Sequence, residues 1–196
     1  MMALRVSNPV LSAAIAVLLH GALCAPVALA AERGQIVVLV RHAEKAASPE
    51  PDVALSEAGR TRAEALAASL AGLRPDAIVV TQYRRSRETA EPLARALKLT
   101  PIVVQTGGDV AAYARRAADA VRAAGDVVVV VGHSNTVPAI IAALGGPSLD
   151  EICETEYAHL FTVVRLPGQP PRLIQSLYGA ADPPRSGECA RAMKQE

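Results

Sequence analysis

Net charge is nearly absent from this chain: 20 Lys and Arg face 19 Asp and Glu, for a formal +1 at pH 7. Removing Arg5, together with the N-terminal segment that carries it, leaves zero. A neutral domain argues against general nucleic-acid binding, which needs a basic face. The tight basic cluster is Arg84, Arg85 and Arg87. Long apolar runs are lacking as well. Residues 10–19 are mostly apolar, but a stable bilayer anchor takes about 20 such residues, so no membrane span is expected in the processed chain. Cysteine is scarce, at three residues. There is no internal repeat and no linker-like stretch that would separate two domains.

What the N-terminus does have is a three-part layout. Arg5 gives residues 1–5 one positive charge and no acid, the apolar run follows, and Ala28-Leu29-Ala30 supplies a small-x-small site. This is the pattern of a secretory signal; the competing reading is a first core helix. Residues 1–30 are expected to be a signal peptide, cleaved near Ala30 or Ala31. Residues 31–196 then form one domain of about 165 residues, periplasmic or secreted. Cys24 leaves with the signal. Cys153 and Cys189 remain, and in an oxidising compartment they are expected to pair.

Hydrophobic patterning divides the rest into alternating elements. Residues 35–40 read as a first strand, followed by a polar loop over 43–53. Ser56 is placed to cap a helix to about residue 71, with Ala63, Leu66, Ala67 and Leu70 on one face. A strand is expected at 77–80, a helix at 84–97, a short strand at 102–104 and a helix at 109–124. The strand at 127–131 reads as the most buried. A helix at 136–144 follows, then a hairpin from 160–166 and 172–177. This order implies an α/β fold: a mostly parallel sheet covered on both faces, with an antiparallel edge strand. The tail after about residue 182 is expected to be partly disordered unless Cys189 tethers it.

Two apolar runs end in a histidine: Val37-Val38-Leu39-Val40-Arg41-His42-Ala43-Glu44, and the strand before Gly132-His133-Ser134-Asn135. Open α/β sheets bind ligands at the carboxyl edge of their strands. Histidines and arginines delivered there make an oxyanion pocket, which fits a phosphoryl group. Neutral His42 can attack phosphorus through Nε2 if its Nδ1–H is held by a backbone carbonyl. Neighbouring arginines favour that neutral form. Arg41 and Arg85 can grip phosphate oxygens as forks, and His133 adds a donor.

Arg41-His42 after a strand, Leu55-Ser56-Glu57-Ala58-Gly59, Arg85-x-x-x-Thr89-Ala90 and Gly132-His133 together resemble the histidine phosphatase superfamily, the phosphoglycerate mutase-like family. The resemblance implies a three-layer α/β/α sandwich, with His42 phosphorylated and His133, Arg41 and Arg85 holding the phosphate. Ala43 stands where that family usually has glycine, and Arg-His-Ala-Glu-Lys resembles small exported members, some related to lipopolysaccharide-core phosphatases. The family's acid comes from an insertion that is nearly absent here. Asp109 is the first candidate for that role and Glu44 the second, although Glu44 can instead bond a pocket arginine. The short insertion implies an open pocket and a substrate that is large or is a protein side chain.

The function expected is a cofactor-independent phosphomonoester hydrolase acting through a phosphohistidine. Its substrate would be a phosphorylated small molecule, a lipopolysaccharide-type phosphate or a phosphoprotein. The alternatives are a non-catalytic phosphate-ester binder or sensor, and a mutase-type phosphotransferase. A mutase must shelter its phosphoenzyme from water, which the short insertion and export oppose. A metal site takes three or four ligands; the processed chain has three histidines, two already assigned to phosphate, so no metal is expected. Arg84, Arg87, Glu154 and Glu156 are read as surface residues, and His159 as structural or solvated.

Overall fold

The computed structural model describes residues 34–184. Contacts group the chain into two units, Met1–Ala31 and Glu32–Glu196, and every described residue belongs to the second. The signal-peptide reading, Cys24, Cys189 and the end of the tail lie outside the described residues.

The elements are β1 (Gln35–Arg41), α1 (Glu57–Leu70), β2 (Ala77–Val80), α2 (Arg84–Leu97), β3 (Ile102–Val103), α3 (Val110–Ala124), β4 (Val127–Gly132), α4 (Thr136–Ala143), β5 (His159–Arg165) and β6 (Arg172–Leu177). They follow the order that the hydrophobic pattern implies. β1 and β4 each run one residue further than expected, so Arg41 and Gly132 are strand residues, paired in register. Helix starts follow local chemistry. Ser56 accepts from the Gly59 N–H at 3.0 Å at the start of α1, and Asp109 accepts from the Ala112 N–H at 2.5 Å at the start of α3. These caps satisfy donors that a helix start leaves unpaired.

The six strands form one sheet in the order β3-β2-β4-β1-β5-β6. β3, β2, β4 and β1 run parallel, while β5 and β6 add an antiparallel pair beside β1. Strand side chains alternate between two cores. Val37, Leu39, Val79, Val128 and Val130 pack on one face with Ala117 and Val121 of α3 and Ile140 and Ile141 of α4. Val38, Val40, Ile78, Val80, Val129 and Val131 pack on the other with Leu66 of α1 and Leu93 of α2. Burying each such side chain is worth about 1.5–3 kcal/mol. Both faces being covered explains why β4 is almost pure valine rather than alternating.

The topology also opens a crevice. The chain leaves β1 toward the α1 and α2 face and leaves β4 toward the α3 and α4 face. β1 and β4 are neighbours, so the connections leaving their carboxyl ends part in opposite directions. That is the switch point at which open α/β sheets bind ligands.

Candidate active site

Arg41 and His42 leave the end of β1, His133 leaves the end of β4, and Arg85 lies in the first turn of α2. The His42 N–H still donates to the Gly132 carbonyl at 2.9 Å, extending the β1–β4 ladder to the histidine itself. One residue later the Ala43 N–H donates to Thr89 Oγ1 at 2.9 Å, and Thr89 Oγ1 donates to the Arg85 carbonyl at 2.7 Å. Thr89 thus ties the histidine loop to the turn that carries Arg85. The Leu55–Gly59 motif holds the same loop from the other side. The Ser56 N–H donates to the Glu44 carbonyl at 2.9 Å, and a Cβ on Gly59 would stand only 2.2 Å from that oxygen. Glycine is needed there for close approach of two backbones.

The His42 and His133 rings meet edge to face with centroids 5.2 Å apart. His42 Nδ1 lies 2.9 Å from the Ala43 carbonyl. A carbonyl can only accept, so Nδ1 carries the proton and Nε2 keeps its lone pair. Burial lowers the His42 pKa most. His133, Arg41 and Arg85 lower it further against the opposing Ala43 hydrogen bond, to about 3. The same burial and arginine charges lower His133 to about 4. His133 Nε2 sits 3.2 Å from the Thr81 hydroxyl, which donates to Ser86 Oγ at 2.8 Å.

Arg41 is 1% exposed. Its Nη1 donates to the carbonyls of Cys153 at 2.7 Å and Glu156 at 3.1 Å, and its Nη2 to Glu154 Oε2 at 2.7 Å. The guanidinium stacks on Tyr157 at 4.3 Å. Arg85 stacks on Tyr83 at the same distance, and burial pushes its pKa down. The Nε of each arginine is buried without a hydrogen-bond partner among the described residues.

These side chains line a cavity of about 370 Å³ whose wall also includes Lys45, Tyr83, Asp109 and Glu154. The structure therefore brings together Arg41, His42, Arg85, His133 and Asp109. It does not bring Glu44. That carboxylate receives Nε and Nη2 of Arg62 at 2.8–3.1 Å, and Arg62 also donates to the carbonyls of Tyr178 and Ala180. Glu44 does bond an arginine, but one outside the pocket. One surface reading is corrected, and a second gains a contact. Glu156 is 5% exposed and pairs with His159 at 3.3 Å. Glu154, though exposed, bridges Arg41 and Ser134 at the pocket wall. Arg84 and Arg87 are exposed, as expected. Cys153 is disulfide-bonded; Cys189 lies outside the described residues. The site residues that sequence reasoning missed are Lys45, Tyr83, Glu154 and Tyr157. Lys45 and Tyr83 had local signals, Lys45 as the last residue of the Arg-His-Ala-Glu-Lys run and Tyr83 directly before the basic cluster.

The model of the histidine phosphatase superfamily (branch 1) matches residues 37–107, a span that holds Arg41, His42 and Arg85. Over that span the chain is similar to the histidine phosphatase superfamily. A mycobacterial glucosyl-3-phosphoglycerate phosphatase is 22% identical, with a TM-score of 0.58 over 76% of this chain and 100% of its own. A structure named mycobacterial hydrolase 2 is 21% identical, with a TM-score of 0.58 over 84% of this chain and 98% of its own. The protein histidine phosphatase SixA, complexed with tungstate, is 18% identical, with a TM-score of 0.57 over 73% of this chain and 97% of its own. These likenesses are of fold. No curated protein sequence matches. Among the described residues, no helix is long and apolar enough to cross a membrane.

Proposed function

We propose that the chain is an exported phosphomonoester hydrolase that works through a phosphohistidine on His42. The observation that carries this reading is the tautomer: the Ala43 carbonyl holds the proton on Nδ1 and leaves Nε2 as a nucleophile. A depressed pKa keeps that nitrogen unprotonated from neutral pH down into the acid range. Arg41 and Arg85 supply fixed positive charge for the equatorial oxygens, and His133 adds a further donor. In the first step Nε2 attacks phosphorus and the ester oxygen leaves with a proton from Asp109. In the second, water attacks the phosphohistidine, Asp109 takes its proton and orthophosphate departs. The open crevice suits phosphate on a large molecule or a protein side chain. The fold neighbours include a glucosyl-3-phosphoglycerate phosphatase and a protein histidine phosphatase.

The test is hydrolysis of an aryl phosphate by the purified chain with excess chelator present, with the phosphoenzyme trapped at alkaline pH. His42→Ala should lose both turnover and the trapped phosphate. Arg41→Ala, Arg85→Ala and His133→Ala should each fall on the order of a hundred- to a thousandfold. Turnover retained in His42→Ala would overturn the mechanism.

A further inference from the structure

We propose that the turn from Cys153 to Glu156 is the positioning element of this anion site, with Glu154 aiming the Arg41 guanidinium and the disulfide at Cys153 pinning the turn. The inference rests on reading the pocket as a phosphoryl site.

The turn closes on itself through the Glu156 N–H, which donates to the Cys153 carbonyl at 2.9 Å. That carbonyl is the same one that receives Arg41 Nη1 at 2.7 Å, and the Glu156 carbonyl takes the second Nη1 contact. Glu154 Oε2 takes one from Nη2. A guanidinium has five N–H donors, and three of Arg41's are committed to this one turn. What remains is one Nη2–H and the buried, unpartnered Nε–H. Two donors on adjacent nitrogens are what a phosphate takes bidentately.

The other oxygen of Glu154 accepts from Ser134 Oγ at 2.8 Å, directly after His133. The Ser134 carbonyl accepts from the Ile152 N–H at 3.1 Å. The turn is thereby laced to the loops that carry Arg41 and His133, more than a hundred and about twenty residues away in sequence respectively. Partial burial works to raise the pKa of Glu154, but the Ser134 hydrogen bond and Arg41 outweigh it and hold the carboxyl below its ordinary value. Glu154 is therefore a standing acceptor and counter-charge rather than a source of protons. The disulfide at Cys153 fixes the turn covalently at the residue whose carbonyl touches Arg41.

The test uses the full chain with its disulfide intact and compares wild type, Glu154→Gln and Glu154→Ala. Titration calorimetry measures orthophosphate affinity, and hydrolysis of one aryl and one alkyl phosphate gives kcat and KM. Glu154→Ala should weaken orthophosphate on the order of ten- to a hundredfold. It should lower kcat/KM by the same factor on both esters. Glu154→Gln, which keeps an acceptor without the charge, should fall between. Excess dithiothreitol transfers two electrons and two protons to the disulfide, giving two protein thiols and the cyclic oxidised reagent. Phosphate affinity should then drop several-fold as two thiols become titratable. Thermal unfolding of each form separates these losses from misfolding.

Tighter phosphate binding in Glu154→Ala would overturn the proposal, making the carboxylate a competitor for Arg41. A loss confined to the alkyl ester would make it a proton donor. Affinity unchanged by reduction would refute the pin. A wild type that binds orthophosphate but hydrolyses neither ester would refute the hydrolase reading alone, because the affinity series still decides the positioning role. A wild type that does not bind orthophosphate would overturn both.

Discussion

Replacing Gly59 by alanine should damage this protein although alanine is the better helix former. Gly59 lies in the first turn of α1, where the exchange alone favours alanine by at most about 1 kcal/mol. Against that stands the Glu44 carbonyl, whose oxygen would be 2.2 Å from the new Cβ and whose carbon and nitrogen would be 3.1 Å from it. The obstacle is backbone, so no rotamer change relieves it, and the two segments must part. Overpacking of this kind costs about 1–3 kcal/mol. The Ser56 N–H to Glu44 carbonyl bond, 2.9 Å long, stretches with it, for about 1 kcal/mol more. The expected balance is a destabilisation of about 2 kcal/mol, or a Tm lower by roughly 4–8 °C for a domain of this size. Because Glu44 is two residues from His42, kcat for an aryl phosphate should fall as well, on the order of tenfold or more. Thermal unfolding by circular dichroism and steady-state kinetics on the same sample decide it. A raised Tm with unaltered kcat would refute the reasoning that this motif holds the histidine loop.

Three further outcomes are expected. Folded His42 and His133 titrate near 3 and 4 against 6.5 unfolded, so the unfolded chain binds more protons across that window. Stability is full above pH 6.5 and falls as pH drops, by about 2 kcal/mol per histidine at pH 5; urea unfolding should show it, with a shallower decline in His42→Ala, and a flat profile would contradict it. Arg62→Met should cost on the order of 3–5 kcal/mol in the same assay, because it strands the partly buried Glu44 and two carbonyls; a loss below about 1 kcal/mol would show that the network relaxes. Asp109→Asn keeps the α3 cap, since asparagine caps as well as aspartate. Its Tm should hold while alkyl phosphate hydrolysis falls much more than aryl phosphate hydrolysis, and equal losses on both would remove Asp109 from the proton-donor role.

The elements were legible because the chain speaks locally. Valine runs mark strands buried on both faces, and Ser56 and Asp109 mark helix starts with their own side chains. The residues at strand ends could be named for the same reason: Arg41, His42 and His133 each follow an apolar run. The partners of those residues were not legible. Glu154 reaches Arg41 across 113 positions and has no periodic or cap signal around it. Glu156 looks like any surface acid until its own burial and the contact with His159 are seen. Arg62 sits among the polar residues of an amphipathic helix, and only the return of Tyr178 and Ala180 shows that it faces inward. Contacts that depend on where a distant segment comes back leave no trace in local pattern.

β1 lies between β4 and β5, so both neighbours of the first described strand are made late. An emerging chain therefore carries His42 at the end of a ribbon with two open edges until residues 127–165 exist to close them. Such long-range pairing is the slow kind, because loop closure precedes any contact that rewards it. Arg41 waits longer still than His42 for one flank, since its acceptors sit at residues 153–156. Assembly order and chemical competence are thus locked together. A nascent or unfolded chain has not yet gathered Arg41 and His133 into one pocket, and the proposed activity should switch on in a single late step rather than grow with length.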